Sequence, residues 1–264
     1  MSIAFRKSFA ALGVAATMAL AAGSASAAAI TNWEYQVSSI FTAATFTNGT
    51  GSHPVTASSI TWGGNGASNR SGIGIEDSPK SGTIVTDGGA EDANTYTHTN
   101  NPISSAYATL RTATIQATLL LRPEGSSDPF QSFDTTYTIR FAETPNQTPC
   151  AAASVTPCAD IWVIEGSLNK SFTIDNYQYF FSFYAVPELA ALPTNVCAAA
   201  GAPAGCIGFT TQEGRVNEVG FRMEVTSNEL EVPGGEVPEP ASLALMGAGL
   251  LGMAGLRRRQ QKKA

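Results

Sequence analysis

The chain has 264 residues, of which 43% are hydrophobic and 14% are charged, so it can bury a core of its own. Its charge is unevenly distributed. Seven of the fifteen Lys and Arg lie in the two terminal segments, whereas all but one of the 21 acids lie between those segments. The central part is therefore strongly acidic. Because nucleic-acid affinity rests on clustered Lys and Arg, nucleic acid is excluded as a partner.

The first 27 residues have the three zones of a secretory signal peptide. Arg6 and Lys7 supply positive charge, residues 9–22 are an apolar run, and small residues follow. Ala25-Ser26-Ala27 matches the small-residue pattern that precedes a signal-peptidase cleavage site. The apolar run is shorter than the roughly 20 residues of a membrane span. We therefore predict a cleaved signal peptide over residues 1–27, with signal peptidase as a partner.

The last segment combines a short motif, an apolar stretch and a basic tail. The motif is Val237-Pro238-Glu239-Pro240, the apolar stretch covers residues 241–256, and the basic tail begins at Arg257. As a helix, the apolar stretch would be about 24 Å long at ~1.5 Å per residue, which is marginal for a ~30 Å hydrocarbon core. The positive-inside rule keeps the tail cytoplasmic and places the motif and everything before it outside.

This arrangement closely resembles the PEP-CTERM protein-sorting signal, which we assign to residues 237–261. The resemblance implies that an exosortase, a membrane-embedded cysteine transpeptidase or protease, cuts the chain near the motif after transient insertion of a transmembrane helix. It also implies an exported protein that is held briefly at the inner membrane and then reaches the cell surface or the extracellular space. A permanent anchor is the alternative, because helix length alone does not decide removal. Residues 232–236 are predicted to be a flexible spacer.

Between these ends the hydrophobic pattern has a period of two, which indicates strands with one buried face. The predicted strands cover residues 34–41, 58–62, 113–121, 137–141, 160–165, 177–185 and 219–225. Glycine-rich segments at residues 63–74 and 87–92 are predicted to be loops. Many strands with turn-rich connections favour an all-β fold, an antiparallel β-sandwich or jelly roll, in one domain over residues 28–231.

Four cysteines form two local pairs, Cys150 with Cys158 and Cys197 with Cys206, each in a loop of small residues. An exported domain meets an oxidising compartment, so we predict disulfide bonds between nearest neighbours, although four cysteines allow three connectivities. Zinc is the alternative. The spacings exceed the roughly two to four residues of usual zinc knuckles, however, and no histidine lies nearby.

Catalytic motifs are scarce in this sequence. The two histidines are His53 and His98, and neither belongs to a local pattern that names a nucleophile. Glu143, Asp160 and Glu165 could converge in the fold, which keeps an extracellular glycoside hydrolase open as a hypothesis. Because no catalytic motif is found, we predict that the protein is not an enzyme and needs no catalytic cofactor.

One internal motif carries a further resemblance. Thr97-His98-Thr99-Asn100, continued by Asn101-Pro102-Ile103, matches the signature of the THxN family of PEP-CTERM proteins. Residues 59–63, 141–146 and 160–164 also look like the wider choice-of-anchor surface domains. These families are defined by sequence and anchor, so the resemblance implies no established activity.

Two interpretations of this motif remain. Thr, His and Asn before Asn-Pro favour hydrogen bonds from side chain to backbone, so the first is a structural loop at a strand entry, in which His98→Ala would be mild. The second is a calcium site, in which Asn100 and Thr carbonyls join Glu143 or Asp160 as hard oxygen ligands. The sequence favours the structural loop.

The sequence thus predicts a non-enzymatic cell-surface or extracellular-matrix protein that an exosortase sorts and processes. A module that binds carbohydrate, such as exopolysaccharide, is the second hypothesis, with Trp62, Trp162 or Tyr177 stacking on sugars. An extracellular hydrolase is the third. A binding module should expose two or more of these aromatic rings on one concave face, and a hydrolase should bring His98 or paired acids into a pocket.

Overall fold

Two antiparallel β-sheets form the part of the chain that the computed structural model describes, which is residues 28–66, 69–152, 157–166 and 169–230. Ala28–Leu230 forms one compact unit. The predicted signal peptide, spacer and sorting segment lie outside the described residues. Among the described residues, no helix is long and apolar enough to cross a membrane.

In the described part of the chain, the strands alternate with turns and one short helix. In chain order the elements are β1 (Asn32–Phe46), β2 (Ser59–Gly63), β3 (Arg70–Glu76), β4 (Lys80–Val85), β5 (Glu91–Asn100), β6 (Leu110–Pro123), β7 (Gln131–Ala142), β8 (Asp160–Glu165), β9 (Lys170–Ile174), β10 (Tyr177–Val186), β11 (Ala190–Ala191), α1 (Thr194–Ala199), β12 (Ile207–Thr211) and β13 (Arg215–Glu229). One sheet has the strand order β11-β12-β8-β7-β6-β1-β4, and the other has the order β2-β3-β5-β13-β10-β9.

The hydrophobic core lies between the two sheets because alternate residues of the long strands point inward. On β1, Trp33, Tyr35 and Val37 are buried, and Phe181 on β10 and Met223 on β13 face them from the other sheet. Burying each of these side chains contributes roughly 1.5–3 kcal/mol. A second cluster with members from both sheets adjoins this one. Two antiparallel sheets that share a core form a β-sandwich, so the predicted all-β fold is confirmed.

One strand lies where the sequence predicted a loop. β3 begins within the glycine-rich segment at residues 63–74 and continues two residues past it. A Cβ added to Gly72 would lie 2.7 Å from the Thr61 methyl group on the neighbouring strand β2. Glycine therefore allows a close approach of two strands here and does not mark a turn, so the loop prediction is wrong for residues 70–74. The second predicted loop, residues 87–92, is wrong at Glu91 and Asp92, which begin β5.

The Thr97-to-Asn100 motif also lies on a strand. It ends β5, which runs between β3 and β13 in the second sheet. His98 and Asn100 are buried, whereas Thr99 is exposed, so the motif has the alternation of a strand with one inward face. The prediction of a structural loop at these four residues is wrong. Their local preference for turns is outweighed by pairing with two neighbouring strands and by burial.

Two disulfide bonds close short connections. Cys150 bonds Cys158 between β7 and β8, and Cys197 in α1 bonds Cys206 just before β12, with Cα–Cα distances of 5.3 and 5.8 Å. The predicted disulfide bonds between nearest-neighbour cysteines are therefore confirmed. The buried side chains of α1 pack with residues of β8 in a third apolar cluster.

Candidate metal centre

Several strand ends meet at one end of the sandwich and bring together polar residues that are distant in sequence. Asn100 ends β5, Glu143 follows β7, and Asp160 begins β8. Glu213 lies in the short turn between β12 and β13, which crosses from one sheet to the other. The strand register sets Asp160 opposite Thr211, two residues before Glu213.

Three carboxylates form the centre of this cluster. One oxygen from each of Glu143, Asp160 and Glu213 lies within 4.8 Å of the other two. Asp160 is fully buried and Glu213 is 8% exposed. The four ion pairs found among the described residues all involve other acids, so no described Lys or Arg neutralises this cluster.

Each carboxylate is oriented by a hydrogen bond to one of its two oxygens. These bonds run from Trp62 Nε1 to Glu143 Oε2 at 3.2 Å, from Thr144 N to Asp160 Oδ1 at 2.8 Å, and from Asn146 Nδ2 to Glu213 Oε1 at 3.2 Å. The donors belong to the rigid sheet or to the connection that leads into it, which fixes the direction of the remaining oxygens.

The remaining oxygen of each carboxylate is buried and has no hydrogen-bond partner. The side-chain oxygens of two asparagines share this property, which gives five such atoms: Asn100 Oδ1, Glu143 Oε1, Asn146 Oδ1, Asp160 Oδ2 and Glu213 Oε2. A buried acceptor without a partner costs about 1–3 kcal/mol. Native proteins contain few such atoms, so five in one cluster require a physical explanation.

Asn100 is held as firmly as the acids. Its side chain is fully buried, and its Nδ2 donates to the main-chain oxygen of Thr211 at 3.3 Å. Its main-chain oxygen accepts a hydrogen bond from Gly214 N at 2.7 Å, which ties β5 to the turn of Glu213. The Asn100 side chain also reaches Asp160, since its hydrogen bonding opposes the rise in the pKa of that carboxyl.

Burial without a cationic partner makes the three acids resist ionisation. Desolvation raises the pKa of Glu143 to about 8. Desolvation, aided by the charge of Glu143, raises the pKa of Asp160 to about 9, and desolvation also raises the pKa of Glu213. At neutral pH the cluster therefore retains protons unless another positive charge takes their place.

His98 belongs to the aromatic core beside this cluster. Its ring packs against three aromatic rings whose centroids lie 4.9 to 5.8 Å away, those of Trp62, Phe141 and Trp162. Its Nδ1 lies 3.0 Å from Thr211 Oγ1. Burial lowers the pKa of His98 to about 3, so the imidazole is neutral at physiological pH. The ring is 3% exposed and offers no surface for substrate.

The structure brings together some of the predicted site residues and separates others. Asn100, Glu143 and Asp160 meet, as the calcium hypothesis requires. Glu165 lies at the opposite end of β8 and pairs with Arg140 at 2.7 Å. Glu213 was missed because a Gln-Glu-Gly turn looks like a solvated turn in the sequence. The pairings of β12 with β8 and of β13 with β5 place it here, and these pairings are visible only in the fold.

The predicted aromatic platform for sugars is not present. Trp62 and Trp162 are 0% and 4% exposed, and both belong to the apolar cluster between the sheets. Tyr177 packs at the edge of the other cluster. The two tryptophans therefore cannot stack on a saccharide, and that part of the carbohydrate hypothesis is wrong.

The C-terminal segment matches a known protein family. Residues 236–259 match the model of the PEP-CTERM protein-sorting motif. The chain carries a PEP-CTERM sorting signal. The matched residues include the predicted motif from Val237 to Pro240, and they end two residues before the predicted boundary at residue 261. Comparison with curated proteins finds no significant match.

The PEP-CTERM signal defines the destination of the β-sandwich. It supports an extracellular protein that is sorted by an exosortase, which is its processing partner. It also implies export and membrane anchoring before processing, followed by a place at the cell surface. The motif says nothing about the chemistry of residues 28–230, and membership of the THxN family stays a prediction.

Proposed function

We propose that an exosortase cuts the chain near Val237-Pro238-Glu239-Pro240 and leaves the β-sandwich at the cell surface or in the extracellular matrix as a non-enzymatic component. The observation that carries this proposal is the PEP-CTERM signal, which follows the folded unit in sequence. The predicted signal peptide over residues 1–27, ending at Ala25-Ser26-Ala27, supplies the export route. The predicted apolar helix over residues 241–256 supplies the transient anchor.

The burial of the acid cluster supports a non-enzymatic role. A glycoside hydrolase needs two carboxyl groups about 5–5.5 Å or about 6.5–9.5 Å apart on either side of an accessible bond. One oxygen from each of Glu143, Asp160 and Glu213 lies within 4.8 Å of the other two, and each of these residues has a buried oxygen without a hydrogen-bond partner. His98 is buried and neutral in the aromatic core. Asp160, Glu213 and His98 therefore cannot reach a polymer, and Glu143, the one member of this group that lines a surface cleft, has no accessible carboxyl partner among them.

Intact-mass spectrometry of the extracellular protein from the producing bacterium tests the processing step. We expect the mature chain to lack residues 1–27 and the residues that follow the sorting motif. Replacement of Pro238, Glu239 and Pro240 by alanine should leave the C-terminal segment attached and the protein in the membrane fraction. The variant Glu231→Ala, just before the matched residues, is the control and should be processed normally. Recovery of residues 257–264 on the mature extracellular form contradicts the proposal and favours a permanent anchor.

Carbohydrate binding is the second candidate, and one feature of the surface favours it. A cleft of about 500 Å³ is lined mainly by hydroxyl and amide side chains, among them Ser104, Ser105, Tyr107 and Gln147. Concave surfaces with several polar groups fit the hydroxyls of a saccharide. The candidate saccharide site is therefore this cleft and not the aromatic rings that the sequence suggested.

A glycan array and pull-downs with exopolysaccharide from the producing bacterium test this candidate. Ser105 is exposed at the cleft, so Ser105→Trp should fill the cleft and abolish any binding there. Ser132 is exposed on β7 outside the cleft, and Ser132→Trp is the matched control. Binding that is equal in both variants, or that is absent from the wild type, removes the cleft as a saccharide site.

A further inference from the structure

We propose that Glu143, Asp160 and Glu213, together with the side-chain oxygens of Asn100 and Asn146, bind one calcium ion. The cluster joins three carboxylates to two neutral amide oxygens, and all five free oxygens are buried. Asn100 is fully buried and lies on a different sheet from Asp160, so the donors converge from both halves of the sandwich. This inference does not depend on exosortase processing.

The hydrogen bonds around the cluster have the pattern of support for a bound cation. In each side chain, one polar atom is engaged by the protein and the other atom, always an oxygen, is left without a partner. Residues that hold the ligands of a metal in position do so through such outer contacts. One cation can satisfy several such acceptors at once, whereas hydrogen bonds would need a separate hydrogen for each.

The identity and spacing of the donors favour calcium over other common ions. Ca²⁺ takes six to eight oxygen ligands at about 2.3–2.6 Å, so two oxygens on opposite sides of the ion lie up to about 5 Å apart. One oxygen from each carboxylate lies within 4.8 Å of the other two, which is inside this limit. Mg²⁺ requires about 2.0–2.1 Å and keeps several waters, which suits a more open site. Zn²⁺ prefers nitrogen and sulfur ligands, and His98 is not part of the cluster.

The cleft gives the ion a route to the cluster. Glu143 and Asn146 line both the buried cluster and the cleft of about 500 Å³. Ligands beyond the five protein oxygens can therefore come from water on the cleft side. Asn100, Asp160 and Glu213 supply the other three oxygens and do not line the cleft.

The competing explanation is that the three acids simply retain protons. A protonated cluster is stabilised by acid and is indifferent to calcium, whereas a metal site exchanges its protons for the ion. The two explanations also differ for Asp160→Asn. This change keeps an oxygen that can accept from Thr144 N, removes a charge and removes a metal ligand. It should therefore leave the chelated protein at least as stable as the wild type while abolishing its response to calcium.

Calorimetric titration and thermal melts of the full-length protein in detergent, first treated with chelator, test the proposal. We expect one Ca²⁺ per chain. With a Kd at or below about 1 mM, as in extracellular calcium modules, ~10 mM CaCl2 should raise Tm by about 3–6 °C. Asp160→Asn and Glu213→Gln should lose both binding and the rise in Tm. Glu165→Gln, which alters an acid on the outer end of β8, is the matched control and should respond like the wild type.

Each outcome has a definite meaning. Stoichiometric binding with loss of the response in the two variants, but not in Glu165→Gln, supports the site. Absence of binding in the wild type overturns it, as does calcium binding that survives in both variants. A larger rise in Tm with MgCl2 or ZnCl2 than with CaCl2 overturns the assignment of the ion. Because the wild type is compared with itself in calcium and in chelator, a variant that fails to fold does not remove the test.

Discussion

Two residues of one motif, His98 and Asn100, have different roles although both point inward from β5. His98 contacts aromatic rings and one hydroxyl, so its surroundings favour a neutral ring. Asn100 lies among carboxylates with its oxygen unpartnered, so its surroundings favour a positive partner. The inward face of β5 thus meets aromatic rings at His98 and carboxylates at Asn100, two residues further along the strand.

The buried position of His98 changes the expected effect of its removal. The sequence predicted a mild effect for His98→Ala because it placed the residue in a loop. The structure surrounds the ring with Trp62, Phe141 and Trp162, so truncation leaves a cavity in the core. We expect His98→Ala to lower the free energy of unfolding by about 2–4 kcal/mol, measured by urea denaturation in the presence of calcium.

Thr99→Ala is the control for this measurement, since Thr99 is exposed between the two inward residues of the motif. Its cost should not exceed about 1 kcal/mol, which is the range of strand propensity. Equal effects of the two substitutions would contradict a core role for His98.

Among the elements, the long amphipathic strands could be predicted from the sequence and the glycine-rich ones could not. β6, β7, β10 and β13 alternate clearly because one face of each meets the opposite sheet. β5 has Asn94, His98 and Asn100 at buried positions where apolar residues would signal a strand. In β3 a glycine separates the two buried isoleucines, Ile73 and Ile75. β3 and β5 form because strands on both sides pair with them, and the sequence of one strand does not contain that information.

The residues of the candidate metal centre could also be predicted only in part from the sequence, because they belong to different strand connections. Glu143 and Asp160 flank one connection between paired strands, so their meeting could be suspected from the sequence. Asn100 and Glu213 join them only through the pairing of β13 with β5 and of β12 with β8. Asn146 looks like an ordinary loop residue, because its role depends on the side chain of Glu213, to which it donates.

The first disulfide belongs to the same connection as the acid cluster. Cys150 and Cys158 close the loop that follows Asn146 and precedes Asp160. Thr144 Oγ1 contacts the main-chain oxygen of Cys158 at 3.2 Å, which fixes both ends of this connection to each other. Closing a short loop stabilises a fold by on the order of 2–3 kcal/mol. Part of that stabilisation offsets the cost of holding Glu143 and Asp160 close together.

At the scale of the whole molecule, burial at one end of the sandwich opposes every charge there. It lowers the pKa of His98 and raises the pKa of Glu143, Asp160 and Glu213, so both kinds of group are driven towards neutrality. The consequences for stability have opposite signs with pH. A cation bound by the acids would reduce the loss of stability at high pH, which comes from the carboxyls. It would leave unchanged the loss at low pH, which comes from His98.

The last prediction concerns the pH dependence of stability without calcium. Carboxyls whose folded pKa is raised contribute stability that is fully present below their ordinary values of 4.5 and 3.8. That stability is lost as pH rises through about 8 for Glu143 and about 9 for Asp160. For His98, whose folded pKa is lowered, stability is present above 6.5 and is lost as pH falls towards 3. Since several carboxyls outweigh one imidazole, the chelated protein should be most stable near pH ~5.

Thermal melts between pH 4 and pH 9 check this expectation. In chelator, Tm should fall steadily from pH ~5 to pH ~9, because the folded state binds more protons than the unfolded state over this window. Calcium should remove most of the alkaline fall, since the ion replaces the protons, and its effect should grow with pH. Asp160→Asn should show a shallower fall in chelator and no recovery with calcium. A chelated wild type whose Tm rises between pH 5 and pH 8 would contradict the prediction, because the acids would then be ionised and stabilised by a partner other than the ion.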